Sequence, residues 1–424
     1  MRLSPAGVEF RPAELGQHLA VHQLLLNVFH YPPLDTFLEW VEAPEYRVQD
    51  RLLALHGSRL VGHVHLVRQL WQGDGETVPV VHLAGLATAA QYRCQGIGTA
   101  LVEHALKQAR ADKAQLAVVR TAEPPFFLRR GWLPVCSGRG WRTTPRDLLA
   151  QLPPQAAPDG SPWQVRPWRQ LELEDLCRLY QHLRADTPGA VHRSEAYWRW
   201  LVQCRPWDEV LVAVPPPPRS DTDEEEAPPP PVPVDGYLIR RGHRVLELAT
   251  CPQKPEAALV LLHRMASDAI ERDQHWIEYW GAPLPQVQQV LDFSDTVPVE
   301  PQEAMLVYPL VPLARWLRER ARCWAARLRK AKAEVTESGL DVGGQRFRLQ
   351  LQGNKLQLQP DHCGRSYLRC NHAVLFQLAW GMCSLEEALQ AGAATVSTAK
   401  ARQFWQAVLP SARFWTSAVD RPLG

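Results

Sequence analysis

The strongest structural signal in this 424-residue sequence is an apolar run, a glycine-containing loop and an amphipathic stretch in direct succession. Residues 82–88 predict a strand and residues 93–98 a loop. Residues 99–111 predict a helix, whose apolar face comprises Leu101, Val102, Ala105, Leu106 and Ala109. Gly96 and Gly98 allow backbone amides to approach a ligand closely, and the unpaired N–H groups at a helix start favour an anion. The segment therefore predicts a site for a pyrophosphate group.

Two kinds of protein place a glycine loop between a strand and a helix in this way. A dinucleotide-binding unit requires Gly-x-Gly-x-x-Gly and an acidic residue at the end of the next strand, and this sequence has neither. The segment 93–98 instead resembles the Arg/Gln-x-x-Gly-x-Gly/Ala loop of the Gcn5-related N-acetyltransferases (GNAT family). The resemblance covers the first third of the chain and implies acetyl-CoA as the acyl donor.

The family's cofactor contacts carry over onto two stretches of this sequence. The resemblance implies that Leu86, Ala87 and Thr88 pair, strand-fashion, with the pantetheine arm. It also implies that the loop and the helix start hold the pyrophosphate, through Arg93, Cys94, Gln95, Gly96, Ile97, Gly98 and Thr99.

The segment 126–132 resembles the segment that closes the GNAT cofactor site. Its Phe127 and Trp132 stand where members of the family carry a tyrosine that acts as general acid, and neither has an ionisable hydroxyl. We expect Phe127 to shape the cofactor site and Trp132 to pack. A thiolate of parent pKa near about 8.5 can leave with little or no protonation, so the substitution weakens the inferred mechanism without excluding it.

Proline-rich punctuation divides the chain into three predicted domains, residues 1–152, 163–309 and 310–424. The second repeats the order of strands and helices of the first. Residues 215–233 are prolines around an acidic run, and this composition predicts a disordered insertion. The third block combines a long helix, a hairpin and short helices.

The order of the blocks resembles the bacterial enhanced intracellular survival type of acetyltransferase, which has a catalytic GNAT domain, a degenerate second copy and a sterol-carrier-like domain. The fold prediction is accordingly α/β (α+β), with two tandem GNAT-like mixed sheets before an α+β domain. In the second block, residues 251–255 stand in place of the phosphate loop and contain no glycine. We therefore expect only the first block to bind coenzyme A.

An amine must attack a thioester as the free base, so the site needs a proton acceptor. His82 is the leading candidate, because it lies on the strand that enters the cofactor loop and is mostly neutral at pH 7. A packed strand histidine is the alternative interpretation, and His63 and His65 are weaker candidates. The resemblance implies a second base, the C-terminal carboxylate, which here belongs to Gly424.

Composition narrows the remaining possibilities. A formal charge of +2 over 424 residues provides no global field for nucleic acid. The nine cysteines lack metal-site spacing, which predicts no metal and reduced thiols. No apolar stretch approaches the roughly 18 residues of a membrane span, and the N-terminus lacks the apolar core of a signal peptide, so we expect a cytoplasmic protein.

Two functional hypotheses remain at this point. The first is an N-acetyltransferase whose partner is a small-molecule or peptide amine, with a homo-oligomer among the open states of assembly. The second is a catalytically weak or inactive protein that binds acyl-CoA or an apolar ligand on the same scaffold, which the missing tyrosine favours. The charge lining the acceptor groove is the structural observation most useful for choosing the acceptor.

Overall fold

The computed structural model describes residues 7–73, 75–135, 140–154, 162–216, 232–280, 284, 287, 289, 297–299, 303–410 and 414–420. Most of the predicted insertion 215–233 and the terminal Gly424 lie outside these residues. Within the described ranges, no helix combines the length and the apolar character required to cross a bilayer.

The first third of the chain contains six strands and four helices in its described residues. The strands are β1 (Val8–Pro12), β2 (Arg51–His56), β3 (Arg59–Gly73), β4 (Glu76–Thr88), β5 (Leu116–Thr121) and β6 (Leu133–Pro134). The helices are α1 (His18–Phe29), α2 (Leu34–Val41), α3 (Ile97–Ala111) and α4 (Pro124–Leu128). The predicted strand, loop and helix around the glycines are therefore present as β4 and α3.

The middle third repeats this order from β8 onward. Its strands are β7 (Gly140–Thr143), β8 (Gln164–Pro167), β9 (Glu209–Val214), β10 (Gly236–Arg241), β11 (Arg244–Thr250), β12 (Ile277–Trp280), β13 (Val297–Val299) and β14 (Ala304–Pro309). Its helices are α5 (Pro145–Gln151), α6 (Leu173–Arg184), α7 (Glu195–Cys204) and α8 (Ala257–Glu271).

The last third is α+β, as its sequence predicts. Its strands are β15 (Glu337–Val342), β16 (Gln345–Gln352), β17 (Lys355–Pro360), β18 (Tyr367–Cys370) and β19 (Ala394–Val396). Its helices are α9 (Leu313–Lys330), α10 (His372–Ala379), α11 (Leu385–Gln390) and α12 (Ala399–Val408). The strands form one sheet in the order β17-β16-β15-β18-β19. The sterol-carrier likeness of this domain stays a prediction.

The two larger sheets exchange strands, which differs from the division drawn from the sequence. The first sheet has the order β1-β2-β3-β4-β5-β14-β6 and the second β13-β7-β12-β11-β10-β9-β8. Thus β14 pairs with β5, whereas β7 pairs with β12 in the other sheet. Residues 140–143, assigned to the first block, are a strand of the second sheet, residues 145–151 form α5 beside it, and residues 304–309 pair within the first sheet. Local sequence patterns do not predict this exchange, because β14 pairs with a strand nearly two hundred residues away.

The first sheet is covered on both faces, and this fixes the position of the site. On one face the apolar side of α3 packs against Leu83 and its neighbours. On the other face Trp71 of β3 contacts Trp380 and Phe414 from the last third of the chain, at ring distances of 6.1 and 5.6 Å. The third domain therefore forms a wall beside the first sheet.

Candidate active site

Strands β4 and β5 separate in the middle of the first sheet. Their parallel pairing runs from Val80 opposite Leu116 to His82 opposite Val118 and then stops. Beyond that point β5 keeps its partner β14, while β4 continues to Thr88. Within the described residues, one edge of β4 over residues 83–88 is thus unpaired, and its backbone N–H and C=O groups can pair with an extended ligand.

A β-bulge interrupts β4 along this open edge. Residues 63 to 65 of β3 lie opposite residues 84 to 87 of β4, so β4 contains one extra residue. Gly85 supplies the left-handed backbone that the bulge requires, with φ of 57°. The Nδ1 atom of His63 lies 2.9 Å from the Gly85 carbonyl oxygen and holds the bulge.

The start of α3 offers unpaired amides beside this edge. Gly96 precedes the helix with φ of 85°, and no side chain caps the helix. A Cβ atom at Gly98 would lie 3.7 Å from Phe126 and 3.8 Å from the Thr88 hydroxyl. Arg130 donates a 2.6 Å hydrogen bond to Thr99 and lies 4.0 Å over the Phe126 ring. Exposed amides, two glycines and a guanidinium are what a pyrophosphate requires, so the residues fit acetyl-CoA.

The predicted cofactor residues differ in their exposure. Leu86 and Thr88 lie on the unpaired stretch of β4, whereas Ala87 is fully buried opposite His63. The loop residues are exposed up to Gly96, namely Arg93, Cys94 and Gln95, while the Ile97 side chain is buried in the core.

Phe127 lies below the site. It is 3% exposed and packs between Phe126 and Trp132, with ring distances of 4.9 and 5.2 Å. The ring that faces Gly98 is that of its neighbour Phe126. The individual contacts to acetyl-CoA, including that of Phe127, stay predictions.

A groove leads from the bulge along β3, which we call the aromatic groove. Its inner part encloses about 340 Å³ beside Gly85, and its outer part about 600 Å³ including the open mouth. Trp40 and His65 line both parts, which makes them continuous. The groove therefore provides a route by which an acceptor reaches the bulge.

The three candidate histidines differ in their access to this groove. His63 has both ring nitrogens engaged, with Gly85 and with Arg51 at 3.2 Å. His65 faces the groove, and His82 is 3% exposed beneath Trp71, with no hydrogen-bond partner for its Nε2 among the described residues. Burial, with Arg120 in second place, lowers the pKa of His82 to about 3. All three imidazoles are therefore neutral at pH 7, and His63 and His65 line the groove whereas His82 does not.

A buried polar chain behind the groove was not expected from the sequence. The Tyr46 hydroxyl accepts a 3.0 Å hydrogen bond from the Arg51 Nε–H and lies 2.7 Å from the His18 Nε2. The other side of the Arg51 guanidinium reaches His63. These residues come from separate segments, and no short motif in the sequence connects them. Tyr46 and Tyr197 both line the outer groove, in a protein whose family tyrosine positions are phenylalanine and tryptophan.

The C-terminal tail enters the same region. Arg193 binds Asp420 through its Nε at 2.8 Å and Glu247 through its Nη2 at 2.7 Å, and all three side chains are buried. Ser417 donates a 2.6 Å hydrogen bond to Glu247. The Asp420 carbonyl accepts from Gln69 of β3 at 3.2 Å, and Gln69 lines the outer groove. The tail is therefore anchored four residues before Gly424, whose own position lies outside the described residues.

Within the described residues, the second sheet repeats the separation of the strands, since β11 pairs with β12 only at residues 244 and 245, and α8 likewise starts without a side-chain cap, but the glycines before the helix are missing. Residues 251–255 lead into α8 without a glycine, and Lys254 is held by Asp235 at 2.8 Å. Elsewhere in the described ranges, no group of three or more His, Cys, Asp or Glu side chains is arranged to hold a metal ion.

Comparison with known proteins places these features in a family. Residues 9–135 match the model of the acetyltransferase (GNAT) domain. A GCN5-related N-acetyltransferase from Anabaena variabilis superimposes with a TM-score of 0.67 at 15% identity, covering 96% of this chain and 99% of its own. Eis1 from Mycobacterium abscessus superimposes with a TM-score of 0.64 at 16% sequence identity, covering 97% of this chain and 99% of its own. A probable N-acyltransferase from Enterococcus faecalis superimposes with a TM-score of 0.68 at 13% sequence identity, covering 96% of this chain and 100% of its own. No curated protein sequence matches the chain significantly.

Residues 9–135 thus resemble a GNAT acetyltransferase domain. Over almost its whole length the chain has the fold of GCN5-related N-acetyltransferases, Eis1 among them. The resemblance stated from the glycine loop and the order of the blocks is confirmed, as is the prediction of two GNAT-like mixed sheets before an α+β domain.

Proposed function

We propose that this protein transfers an acetyl group from acetyl-CoA to a primary amine that enters through the aromatic groove. The observation that carries the proposal is the unpaired edge of β4, which leads from the bulge at Gly85 to the uncapped start of α3. An extended thiol arm can pair along that edge while its pyrophosphate meets the helix amides. Within the described residues, β11 and α8 of the second domain show a similar opening, but the segment 251–255 before α8 contains no glycine, so we expect the first domain to hold the cofactor.

We assign the following roles in the reaction to residues of the chain. When bound, acetyl-CoA supplies a thioester carbon to which the amine nitrogen bonds as the C–S bond breaks and the thiolate leaves. The bulge at Gly85 turns the β4 backbone toward the point where the strands separate, and Arg130 adds positive charge beside the helix start. Trp40 and its apolar neighbours line the inner groove.

The amine must lose a proton before or during attack. An alkylamine of pKa about 10.4 is roughly 0.04% deprotonated at pH 7, so a nearby acceptor accelerates the reaction. His82 and the carboxylate of Gly424 remain our proposed acceptors, and His65 joins them because it lines both parts of the groove. The Tyr46 hydroxyl is a proton donor on the same wall.

A thiol-release assay tests the proposal. Purified protein is incubated with acetyl-CoA and single primary amines of different classes, and free coenzyme A thiol is followed against a blank without amine. We expect amine-dependent release together with a product heavier than the amine by one acetyl group. Tight acetyl-CoA binding with no amine-dependent release would show instead that the scaffold is a binding protein.

A further inference from the structure

The acceptor groove is walled by aromatic rings from two domains. Trp40 ends α2, Tyr46 follows it, and Tyr197 and Trp200 approach from α7 of the second domain. The Trp200 indole N–H donates a 2.9 Å hydrogen bond to the Glu39 carbonyl, which fixes α7 against α2. The inner part is also lined by apolar and aromatic side chains, those of Leu25, Phe29, Tyr31 and Pro32. The rings form a continuous apolar wall from the mouth to the bulge.

The charges around the groove do not suit a polycation. Among the described lining residues, Glu45 at the mouth is the one carboxylate. Arg68 is already paired with Asp50 at 2.5 Å and with Asp112 at 2.8 Å. The Asp420 carboxylate nearby is likewise engaged by Arg193.

Arg51 adds an uncompensated positive charge at the inner end. Its guanidinium is 1% exposed, contacts the Tyr46 hydroxyl and His63, and leaves Nη2 without a hydrogen-bond partner among the described residues. A ligand with several ammonium groups would place some of them near this cation with no carboxylate to offset the repulsion. One ammonium can be held by Glu45 and by the faces of the aromatic rings.

We propose that the acceptor is an arylalkylamine, a single primary amine on a flat aromatic body. The body stacks between the rings of the outer groove, and the amine passes His65 and Trp40 toward Gly85. This assignment of the substrate class rests on the proposed acetyl transfer, but the binding of the amine does not require it.

The test compares 2-phenylethylamine and tryptamine with spermidine, a polycation of similar size. Binding is measured without acetyl-CoA by quenching of tryptophan fluorescence, and turnover by thiol release with acetyl-CoA. We expect kcat/KM for 2-phenylethylamine to exceed that for spermidine at least about 10-fold. Trp200→Ala should raise KM for the arylalkylamine about 10-fold or more, and Trp200→Phe should restore most of the loss.

Two controls separate the groove from the rest of the molecule. Trp276→Ala removes an exposed indole that does not line the groove and should leave KM unchanged. Glu45→Gln should raise KM for the protonated amine, whereas Glu271→Gln, which removes an exposed carboxylate at the end of α8, should not. Because Glu45 is exposed, its variant tests the groove even where Trp200→Ala lowers stability.

The outcomes distinguish the two proposals. Binding of 2-phenylethylamine that Trp200→Ala weakens, with no thiol release from any amine, would sustain the arylalkylamine site and overturn acetyl transfer. Thiol release with spermidine, while 2-phenylethylamine neither binds nor reacts, would overturn the substrate class and sustain the transfer. Absence of both binding and release would overturn both.

Discussion

Three buried histidines set the response of the folded protein to acid. Burial lowers the pKa of His63 and His82 to about 3, with Arg51 and Arg120 as the second causes, and it lowers that of His65 as well. The folded chain therefore binds fewer protons than the unfolded chain as the pH falls below the ordinary histidine value of about 6.5. Burial raises the pKa of Asp420 to about 6, which has the opposite effect.

We predict that the melting temperature falls steeply as the pH is lowered from about 6.5 to 5. Each histidine can contribute a slope of up to ~1.4 kcal/mol per pH unit. His82→Leu removes an imidazole with an unpartnered Nε2. The variant should lose the share of the pH dependence that this one histidine contributes, while its stability at pH 7.5 is unchanged or higher. Calorimetric scans across this range provide the measurement. Equal steepness in the wild type and the variant would show that His82 does not titrate in this way.

The role of His82 as proton acceptor is a separate matter from its effect on stability. His82→Ala should lower turnover about 10²-fold with acetyl-CoA affinity nearly unchanged, if its Nε2 accepts the proton directly or through water. His65→Ala is the matched variant, because His65 lies on the same strand face and lines the groove. Loss of turnover in His65→Ala alone would transfer the role to His65.

At the scale of elements, the glycine loop provides the sharpest test of cofactor binding. Gly98→Ala places a methyl group at ordinary contact distance from Phe126 and Thr88, so this variant should fold and bind. Gly98→Trp fills the space before the α3 amides and should abolish acetyl-CoA binding while the melting temperature stays close to that of Gly98→Ala. Calorimetric titration of both variants makes the comparison. Undiminished binding by Gly98→Trp would place the pyrophosphate elsewhere.

The C-terminal tail is a second element with a testable role. Arg193 and Gln69 hold residue 420 beside the outer groove, and the proposed carboxylate of Gly424 follows four residues later in the sequence. Deleting residues 421–424, or extending the chain with a tag, should lower turnover while the fold and acetyl-CoA binding persist. The anchor at Asp420 remains intact in both variants. A tagged enzyme as active as the untagged one would leave proton transfer to a histidine or to water.

Local patterns in the sequence predicted the elements better than their partners. The apolar spacing of residues 101–109 and the two glycines predicted α3 and its loop, because a helix and its start are decided by adjacent residues. The pairing of β14 with β5 was not predictable in that way. Nor was the aromatic groove, since Trp40, Tyr46 and Trp200 come from segments that only the folded chain brings together.

At the scale of the whole molecule, the degenerate second domain and the third domain act on the site of the first. The second domain exchanges strands with the first sheet, supplies α7 to the groove and binds the tail through Arg193. The third domain packs Trp380 against Trp71 of the first sheet. Elements of all three domains therefore surround the proposed site of the first domain.

The central claim is that the chain holds acetyl-CoA at one place, the opening between β4 and β5 with the start of α3. Isothermal titration calorimetry of the full chain with acetyl-CoA tests it most directly. We predict one site per chain in the wild type and in Gly98→Ala, and none in Gly98→Trp. Two sites per chain, or a site that survives Gly98→Trp, would contradict the account.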